Sequence, residues 1–349
     1  NEAFVIDEET RARLIREDPK SAELIKPFLA GRDIKRYEPP ETDNYLIFTR
    51  RGVKIEDYPA IERHLEQFKD RLMPKPKDWI GGEWKGRKPG SYEWFEIQDS
   101  IDYYQEFEKP KILFPDISVR GNFTLDMDKG FYSINTIYII ISGEPYLLSL
   151  LNSSLLTFYY KNIFSEYRGG FLRFFNQYLV QLPIRRISFS TPEDERRRLT
   201  EELKGLCAAG QFEKVIEVVD GCLPKGDGGE SEGERSDVVH DLLSHLAEEM
   251  IRMNKEKQEE IRGFLAWLAE FCGARVDDLS NKTKVQAYYE IEFSELLSIL
   301  KKNKRKLSVD PNRRAFSEDL RREFSASMEK LSPLLLRIGE VDRLIDAVV

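Results

Sequence analysis

The pattern of apolar residues changes near residue 190, and this change limits what the chain can fold into. Before Ser190, short apolar runs that suit β-strands alternate with helical segments and with turns rich in glycine and proline. After Ser190, apolar residues recur at three- and four-residue spacing, and no run shows the alternation of a strand. The length of 349 residues fits two domains. We therefore predict an α+β protein, in which a mixed α/β domain over residues 1–188 precedes an all-α helical bundle over residues 189–349.

Two further predictions follow from local composition. Residues 8–30 have a helical pattern of apolar residues, and Asp18-Pro19 is expected to break it. In the second domain, a tract rich in glycine, glutamate, serine and aspartate near residues 224–236 predicts a flexible loop.

The first domain is predicted to be organised around one short strand and the turn that follows it. Residues 111–118 form an apolar run, and Pro115, which has no N–H, favours an edge strand or a bulge. Gly121-Asn122 then indicates a turn into a second strand, so Arg120 and this asparagine would lie near the tip of a hairpin-like ribbon. A basic group and an amide on a rigid ribbon can read base edges in a DNA groove. The same residues also fit an ordinary surface hairpin.

Five segments of the first domain, in this order, resemble the TaqI-like C-terminal specificity domain. They are IKPFLAGRDI from Ile25, WFEIQ from Trp94, EKPKILFPDIS with NFTLD over residues 108–126, LLSLLNSSLL from Leu147, and FFNQYLVQLPI from Phe174. This family is the target-recognition module of adenine-specific DNA methyltransferases and of fused restriction-modification enzymes. The resemblance implies a domain that selects the DNA sequence while another domain performs the chemistry. Residues 246–268 resemble the helical region that follows this module in fused methyltransferase-nucleases.

The candidate DNA contacts lie where basic residues coincide with turns and glycines. A basic cluster follows Gly31, the loop over residues 79–90 interleaves two tryptophans and four glycines with cations, and two arginines flank a glycine pair near residue 170. Such residues can anchor phosphates, but they also fit solvated loops or pairs with carboxylates. The predicted DNA-binding residues are Arg32, Lys35, Arg36, Trp84, Lys85, Arg87, Lys88, Arg120, Asn122, Arg168 and Arg173.

The net charge of −8 argues at first against a nucleic-acid partner, but its distribution matters more. Residues 1–188 hold 28 Lys and Arg against 29 Asp and Glu, whereas residues 189–349 hold 26 against 33. The first domain is nearly neutral and can still present one basic face. In the acidic second domain, the run KKNKRK over residues 301–306 fits either a solvated loop between helices or a phosphate contact.

The sequence lacks the motifs of a methyltransferase or nuclease active site, so we predict that this fragment is non-catalytic. The chain has no FxGxG loop and no Asn-Pro-Pro-aromatic tetrapeptide, which the family uses for S-adenosylmethionine and for the flipped adenine. Its three histidines have the wrong spacing for a zinc site, and no carboxylate and lysine pattern of a nuclease is present. We therefore expect neither a cofactor nor a metal here. The resemblance implies that S-adenosylmethionine binds in a preceding catalytic domain, and a start at Asn1 without methionine fits a piece of a longer protein.

The expected partners are double-stranded DNA, the missing N-terminal methyltransferase domain of the same chain, and, as a further option, a second copy bound through the helical region. The longest aliphatic run, Ile137–Ile141, is far too short for a membrane span, and no secretory signal opens the chain. Three cysteines without a CxxC pair fit reduced thiols in a cytoplasmic, prokaryotic protein. The alternative hypothesis is a scaffold in which the helices associate with other proteins and the first domain is structural. A third, an unrecognised enzyme, would require a deep pocket with several carboxylates or a metal.

Overall fold

The computed structural model describes residues 3–133, 135–167, 169–223 and 234–349. The chain divides into two compact units, Asn1–Ile184 and Arg185–Val349. The first unit combines helices with sheets and the described part of the second is helical, so the predicted α+β class is confirmed. Most of the predicted flexible loop near 224–236 lies outside the described residues. None of the helices in the described ranges has both the length and the apolar character needed to cross a lipid bilayer.

The strands of the first unit are short and form three small sheets. The strands are β1 (Val5–Asp7), β2 (Ile25–Leu29), β3 (Asn44–Ile47), β4 (Lys111–Pro115), β5 (Ile117–Ser118), β6 (Thr124–Asp126), β7 (Tyr132–Ser133), β8 (Ile137–Ile140), β9 (Glu166–Tyr167) and β10 (Phe171–Arg173). Their orders are β1-β3-β2-β7, β6-β4-β8 and β5-β10-β9. The first sheet includes a parallel pair, β2 with β7, and the other two sheets are antiparallel.

Six helices complete the described part of the first unit: α1 (Glu8–Glu17), α2 (Pro59–Glu66), α3 (Lys69–Leu72), α4 (Pro145–Asn152), α5 (Ser154–Ile163) and α6 (Asn176–Leu179). Helix α1 begins where the Asp7 carboxylate accepts the Thr10 N–H at 2.8 Å. The side chain of Ser153 accepts the Leu156 N–H and thereby starts α5 directly after α4 has ended.

The prediction of a helix over residues 8–30 is correct for α1 and wrong for the last part of this segment. Ile25–Leu29 forms β2, which lies between β3 and β7 in the first sheet. Its partner β7 pairs Tyr132 with Phe28, more than 100 residues away in sequence. A local pattern of apolar residues does not contain such a distant partner, so tertiary pairing decided the conformation.

The predicted pairing of residues 111–118 with the strand after Gly121-Asn122 is present, because β4 pairs with β6 and places Ile112 opposite Leu125. The expectation of an edge strand is wrong, since β4 is the central strand and β8 covers its other side. Pro115 is the last residue of β4, so its missing N–H falls at the end of the ladder. The chain then continues into β5, which belongs to a different sheet.

A buried ion pair joins β4 to β6. Lys111 and Asp126 are 0% and 2% exposed, and Nζ of the lysine lies 2.5 Å from Oδ2 of the aspartate. The ammonium also donates to the Phe107 carbonyl at 2.5 Å, and the carboxylate accepts the N–H groups of Phe131 and Lys129 at 2.9 and 3.0 Å. Both charges are therefore hydrogen-bonded as well as paired, which a buried charge requires.

The second unit is built on two long helices that pack along each other. Its helices are α7 (Glu193–Ala208), α8 (Phe212–Cys222), α9 (Ser236–Cys272), α10 (Lys282–Gln286), α11 (Phe293–Lys302) and α12 (Arg314–Val348). Helix α9 ends at Gly273, whose φ of +60° is a left-handed cap that glycine adopts without strain. One core cluster lies between α9, α11 and α12, where the rings of Phe264 and Tyr288 stack with their centroids 4.0 Å apart.

Candidate nucleic-acid interface

The structure brings six of the predicted contact residues into one neighbourhood of the first unit. We call it the turn–loop surface, and it consists of the turn over residues 31–36, the loop over residues 119–122 and the sheet β5-β10-β9. The predicted residues within it are Arg32, Lys35, Arg36, Arg120, Asn122 and Arg173. Four others, Trp84, Lys85, Arg87 and Lys88, lie on a different loop. Arg168 lies outside the described residues.

Hydrogen bonds of two asparagine side chains connect the turn over residues 31–36 to the loop over residues 119–122 and to the residue that follows it. The side-chain amide of Asn122 donates to the Ile34 carbonyl at 2.9 Å. Asn152, at the end of α4 and 2% exposed, bonds both backbone groups of Phe123, accepting its N–H and donating to its carbonyl at 2.9 Å each. The guanidinium of Arg36 donates to the Asn152 carbonyl at 2.7 and 3.1 Å. These buried and half-buried hydrogen bonds join three segments that are distant in sequence into one frame.

Two glycines allow the segments to approach closely. A Cβ atom on Gly121 would lie 2.4 Å from the Leu151 carbonyl oxygen, and one on Gly31 would lie 2.7 Å from the Thr136 carbonyl oxygen. Both distances are too short for any side chain, and both neighbours are backbone atoms that cannot rotate away. The turn and the loop therefore require glycine at these two positions.

Three cations on this frame point to solvent. The side chain of Arg32 is 86% exposed and lies 3.8 Å from Asp33, while Lys35 is 64% exposed and lies 3.5 Å from Glu38. Arg120 is also exposed. The Arg32–Asp33 pair is long and contributes little to stability. Glu38 is buried, but the Lys35 side chain itself is exposed, so all three cations can reach an anionic partner. By contrast, Arg36 and Asn122 donate hydrogen bonds to the carbonyls of Asn152 and Ile34, and these bonds stabilise the frame.

Arg173 is linked to the same frame through Asp116. Its guanidinium lies 3.3 Å from the Asp116 carboxylate, and the Asp116 N–H donates to the Thr136 carbonyl at 3.0 Å. Thr136 in turn accepts the Gly31 N–H on its side-chain oxygen at 3.2 Å. Asp116 and Thr136 therefore connect strand β10 to the turn that carries Arg32.

The sheet β5-β10-β9 exposes apolar side chains that the sequence patterns did not single out. Arg173 lies opposite Ile117, and Phe171 lies opposite Tyr167, so all four side chains belong to one face of the sheet. Ile117, Tyr167 and Phe171 are 36%, 47% and 42% exposed. Short apolar strands are usually core, and only the three-dimensional pairing shows that this face is open.

The loop over residues 79–90 is held in place by Arg87. Its guanidinium donates to four backbone carbonyls, those of Leu72, Glu93, Trp94 and Glu96, at 2.7 to 3.2 Å. It also stacks over the Tyr92 ring at 4.4 Å. Burial is the main cause that lowers the pKa of the Arg87 guanidinium, and the positive charge of Arg51 lowers it further. Arg87 thus acts as a framework residue of this loop.

The other predicted residues of this loop remain at the surface. Lys85 and Lys88 are exposed. The Trp84 ring packs edge-on against Trp79 with the centroids 4.8 Å apart, and its indole N–H donates to the Met73 carbonyl at 3.2 Å. The loop thus presents cations beside aromatic rings, an arrangement that suits stacking and phosphate contact.

Within the described ranges, no group of three or more His, Cys, Asp or Glu side chains is arranged to hold a metal ion. His64 is buried, and its Nε2 lies 3.2 Å from the Ala3 carbonyl, so Nε2 carries the proton. Burial lowers the pKa of His64. Cys207, Cys222 and Cys272 are buried free thiols, and burial raises the pKa of each.

Comparison with known proteins gives the family of the segment that contains this surface. Residues 26–184 match the TaqI-like C-terminal specificity domain. The first unit contains a TaqI-like C-terminal specificity domain. The resemblance seen in the sequence is therefore confirmed, and the turn–loop surface lies within the specificity domain. Residues 236–349 match a second family, described as a domain of unknown function, DUF8810.

Two curated relatives are similar to part of the chain. The Type II methyltransferase M.BstVI of Geobacillus stearothermophilus is 26% identical over 155 residues, which is 43% of this chain and 25% of that protein. The Type II methyltransferase M.PaeR7I of Pseudomonas aeruginosa is 29% identical over 153 residues, which is 43% of this chain and 24% of that protein. The matched region is thus about a quarter of each relative's length. A solved structure of the Type IIL restriction-modification enzyme MmeI in complex with DNA aligns with 70% of this chain and 30% of its own, at 15% identity and a TM-score of 0.37.

Proposed function

We propose that the specificity domain selects a DNA sequence for a restriction-modification enzyme, and that the turn–loop surface meets the duplex. The observation that carries this proposal is a rigid frame that presents exposed cations. Asn122 and Asn152 hold the turn against the loop, while Arg32, Lys35 and Arg120 remain exposed. Preorganised backbone suits recognition, because less conformational freedom is lost on binding.

The chemistry of the side chains suggests how the contacts divide. Arginine binds the O6 and N7 atoms of guanine through two parallel hydrogen bonds, so Arg32 and Arg120 are our candidates for reading guanine in the major groove. Lys35 suits a phosphate, which fixes register without reading sequence. The exposed side chains of Ile117 and Phe171 suit contact with a thymine methyl group or a sugar.

The parent enzyme in this proposal is an adenine-specific DNA methyltransferase of a prokaryotic cytoplasm. Its catalytic domain would bind S-adenosylmethionine and methylate the sequence that this chain selects, whereas this chain performs no chemistry itself. The names of the two curated relatives support a methyltransferase as the partner domain. The helical unit would hold the specificity domain against that methyltransferase domain or against a second copy of the chain.

The test of sequence recognition is selection of duplexes with a randomised centre, followed by sequencing. We expect the wild-type chain to enrich one short sequence. The variant R32Q/K35Q/R120Q should lose preference at one or more base positions, by about 1–3 kcal/mol for each lost arginine–guanine pair. A matched control, R13Q/R16Q/K54Q, removes three exposed cations from other parts of the same unit.

Two outcomes would contradict the proposal. One is a wild-type chain that enriches no sequence, and the other is a control variant that loses preference as much as the triple variant does. Mapping of methylated bases in cells that contain the full-length parent tests the adenine assignment separately, since methylated cytosine would overturn only that part.

A further inference from the structure

A basic tip lies at the end of α11 in the second unit. We define it by four residues, Lys301, Lys302, Lys304 and Arg305, all of which are exposed. Residues 301–314 contain seven Lys and Arg and one Asp, whereas the rest of 185–349 contains 21 Lys and Arg against 32 Asp and Glu. Positive charge is thus concentrated at one place in a unit that is otherwise acidic, and such segregation creates a local positive potential.

The backbone of the basic tip is fixed by a buried asparagine. Asn303 is 3% exposed, and its side chain accepts the Ser280 N–H at 2.8 Å while donating to the carbonyls of Ile299 and Ser280 at 2.9 and 3.2 Å. Lys306, just beyond the tip, donates to the Asp278 carbonyl at 2.7 Å. Lys301 and Lys302 therefore project from the last turn of α11, and Lys304 and Arg305 project from the anchored turn that follows it.

The tip cations differ from many other cations of this unit, because none of the four has a carboxylate oxygen within 4 Å among the described residues. Many other cations in the described part of the unit form ion pairs within 4 Å, for example Lys284 with Glu295 at 2.5 Å and Lys330 with Glu260 at 2.8 Å. Lysines in the last turn of a helix are favoured by the helix dipole, which accounts for Lys301 and Lys302. The dipole does not account for Lys304 and Arg305, which follow the end of the helix.

A neighbouring segment adds to this positive surface. The pKa of the Asp310 carboxyl is lowered first by its hydrogen bonds to Asn312 and then by the positive charges of Arg313 and Lys304. Both cations thus act on the same carboxylate, and the Arg313 N–H donates to the Asp310 carbonyl at 3.2 Å, so Arg313 follows the tip in the adjoining turn. Within residues 301–314, this aspartate is the one acidic residue beside seven Lys and Arg.

We propose that the basic tip binds the sugar-phosphate backbone of double-stranded DNA without reading its sequence. This inference rests on the proposed function in one respect, since that function supplies duplex DNA as the polyanion near this chain. Lysines on a fixed turn act as point charges for phosphates, and none of the four can recognise a base edge while it contacts the backbone. The tip would thus add affinity to the sequence selection performed by the specificity domain.

The test uses the variant K301Q/K302Q/K304Q/R305Q of the full chain and a fluorescent duplex of random sequence. Each lost phosphate contact lowers the slope of log K against log salt by about 0.9, so we expect the slope to fall by about 2 to 4 and the affinity to fall at least about tenfold in ~0.1 M salt. The sequence preference found by library selection should not change. All four positions are exposed, so circular dichroism should show an unchanged fold.

The control variant R197Q/R198Q/K204Q/K214Q removes the same charge from α7 and α8, where three of the four cations already pair with carboxylates. It should leave the salt slope within about 1 of the wild-type value. Two results would overturn the inference and leave the proposed function intact, provided that the wild-type chain binds DNA. The first is an equal loss of affinity and salt slope in both variants, and the second is a tip variant with the affinity and salt slope of the wild type. Loss of sequence preference in R32Q/K35Q/R120Q with no change in the tip variant would have the same meaning. A wild-type chain that binds no duplex at all would overturn both.

Discussion

Removal of one partner of the buried pair between Lys111 and Asp126 should destabilise the first unit strongly, and the two partners should not be equivalent. In K111M the Asp126 carboxylate stays buried but keeps two backbone N–H donors, those of Phe131 and Lys129. In D126N the Lys111 ammonium keeps the Phe107 carbonyl and at most a neutral amide oxygen, while the new NH2 group takes the place of an oxygen that accepts a backbone N–H. Breaking a buried ion pair costs about 3–5 kcal/mol, so we expect about 3 for K111M and about 5 for D126N.

The double variant K111M/D126N provides the sharper test, because it contains neither buried charge. Its loss of unfolding free energy should be smaller than the sum of the two single losses by about 2 kcal/mol or more, as for residues in direct contact. Urea titration in a W267F background measures this loss, since the remaining tryptophans, Trp79, Trp84 and Trp94, all lie in the first unit. Single losses below about 1 kcal/mol, or strict additivity, would refute the assignment of a coupled buried pair.

Three further predictions concern the loop, a histidine and the cysteines. G121A should weaken DNA binding and lower the stability of the first unit by about 1–3 kcal/mol, because its Cβ would lie 2.4 Å from the Leu151 carbonyl oxygen. Urea titration measures the stability and a duplex-binding assay measures the affinity. A variant with unchanged stability and affinity would contradict the close approach. The lowered pKa of His64 means that the unfolded state binds the proton more readily, so stability present above the ordinary pKa of 6.5 should be lost as the pH falls from 6.5 through the lowered folded value. The variant H64Q should flatten this dependence in urea midpoints measured across that range. The three thiols should react slowly with an aromatic disulfide in native protein at about pH 8, since burial raises the pKa of Cys207 and Cys272 to about 11. All three should react rapidly once the protein is unfolded in urea. Fast reaction of the native protein would contradict their burial.

Local sequence predicted the elements whose partners are close in the chain. The pairing of β4 with β6 follows from an apolar run, a Gly-Asn turn and a second run, all within 16 residues. The long helix α9 follows from the spacing of its apolar residues. The position of β5 could not be predicted in this way, because its partner β10 places Leu172 opposite Ser118, 54 residues away. Pairing over such a distance is decided by the packing of the whole unit.

For the candidate interface, the sequence indicated which segments carry cations, but not which of these cations are hydrogen-bonded within the protein. Arg32 and Arg36 belong to the same turn and look equivalent in sequence, yet the first is exposed and the second binds the Asn152 carbonyl. The acceptors of Arg36 and Arg87 are backbone carbonyls, which every residue possesses. No side-chain pattern can mark them, and for this reason the distinction required the structure.

The distinction between framework and exposed arginines leads to a prediction that separates stability from binding. Arg87 donates to four carbonyls, and a lysine can neither span this fork nor stack flat on Tyr92. R87K should therefore lower the unfolding free energy of the first unit by about 2–4 kcal/mol through the lost charged hydrogen bonds. R120Q should instead leave the urea midpoint unchanged and weaken DNA binding, because Arg120 is exposed. If R87K weakened DNA binding at full stability while R120Q did not affect it, the loop over residues 79–90 would be the DNA-binding element and the turn–loop surface would not.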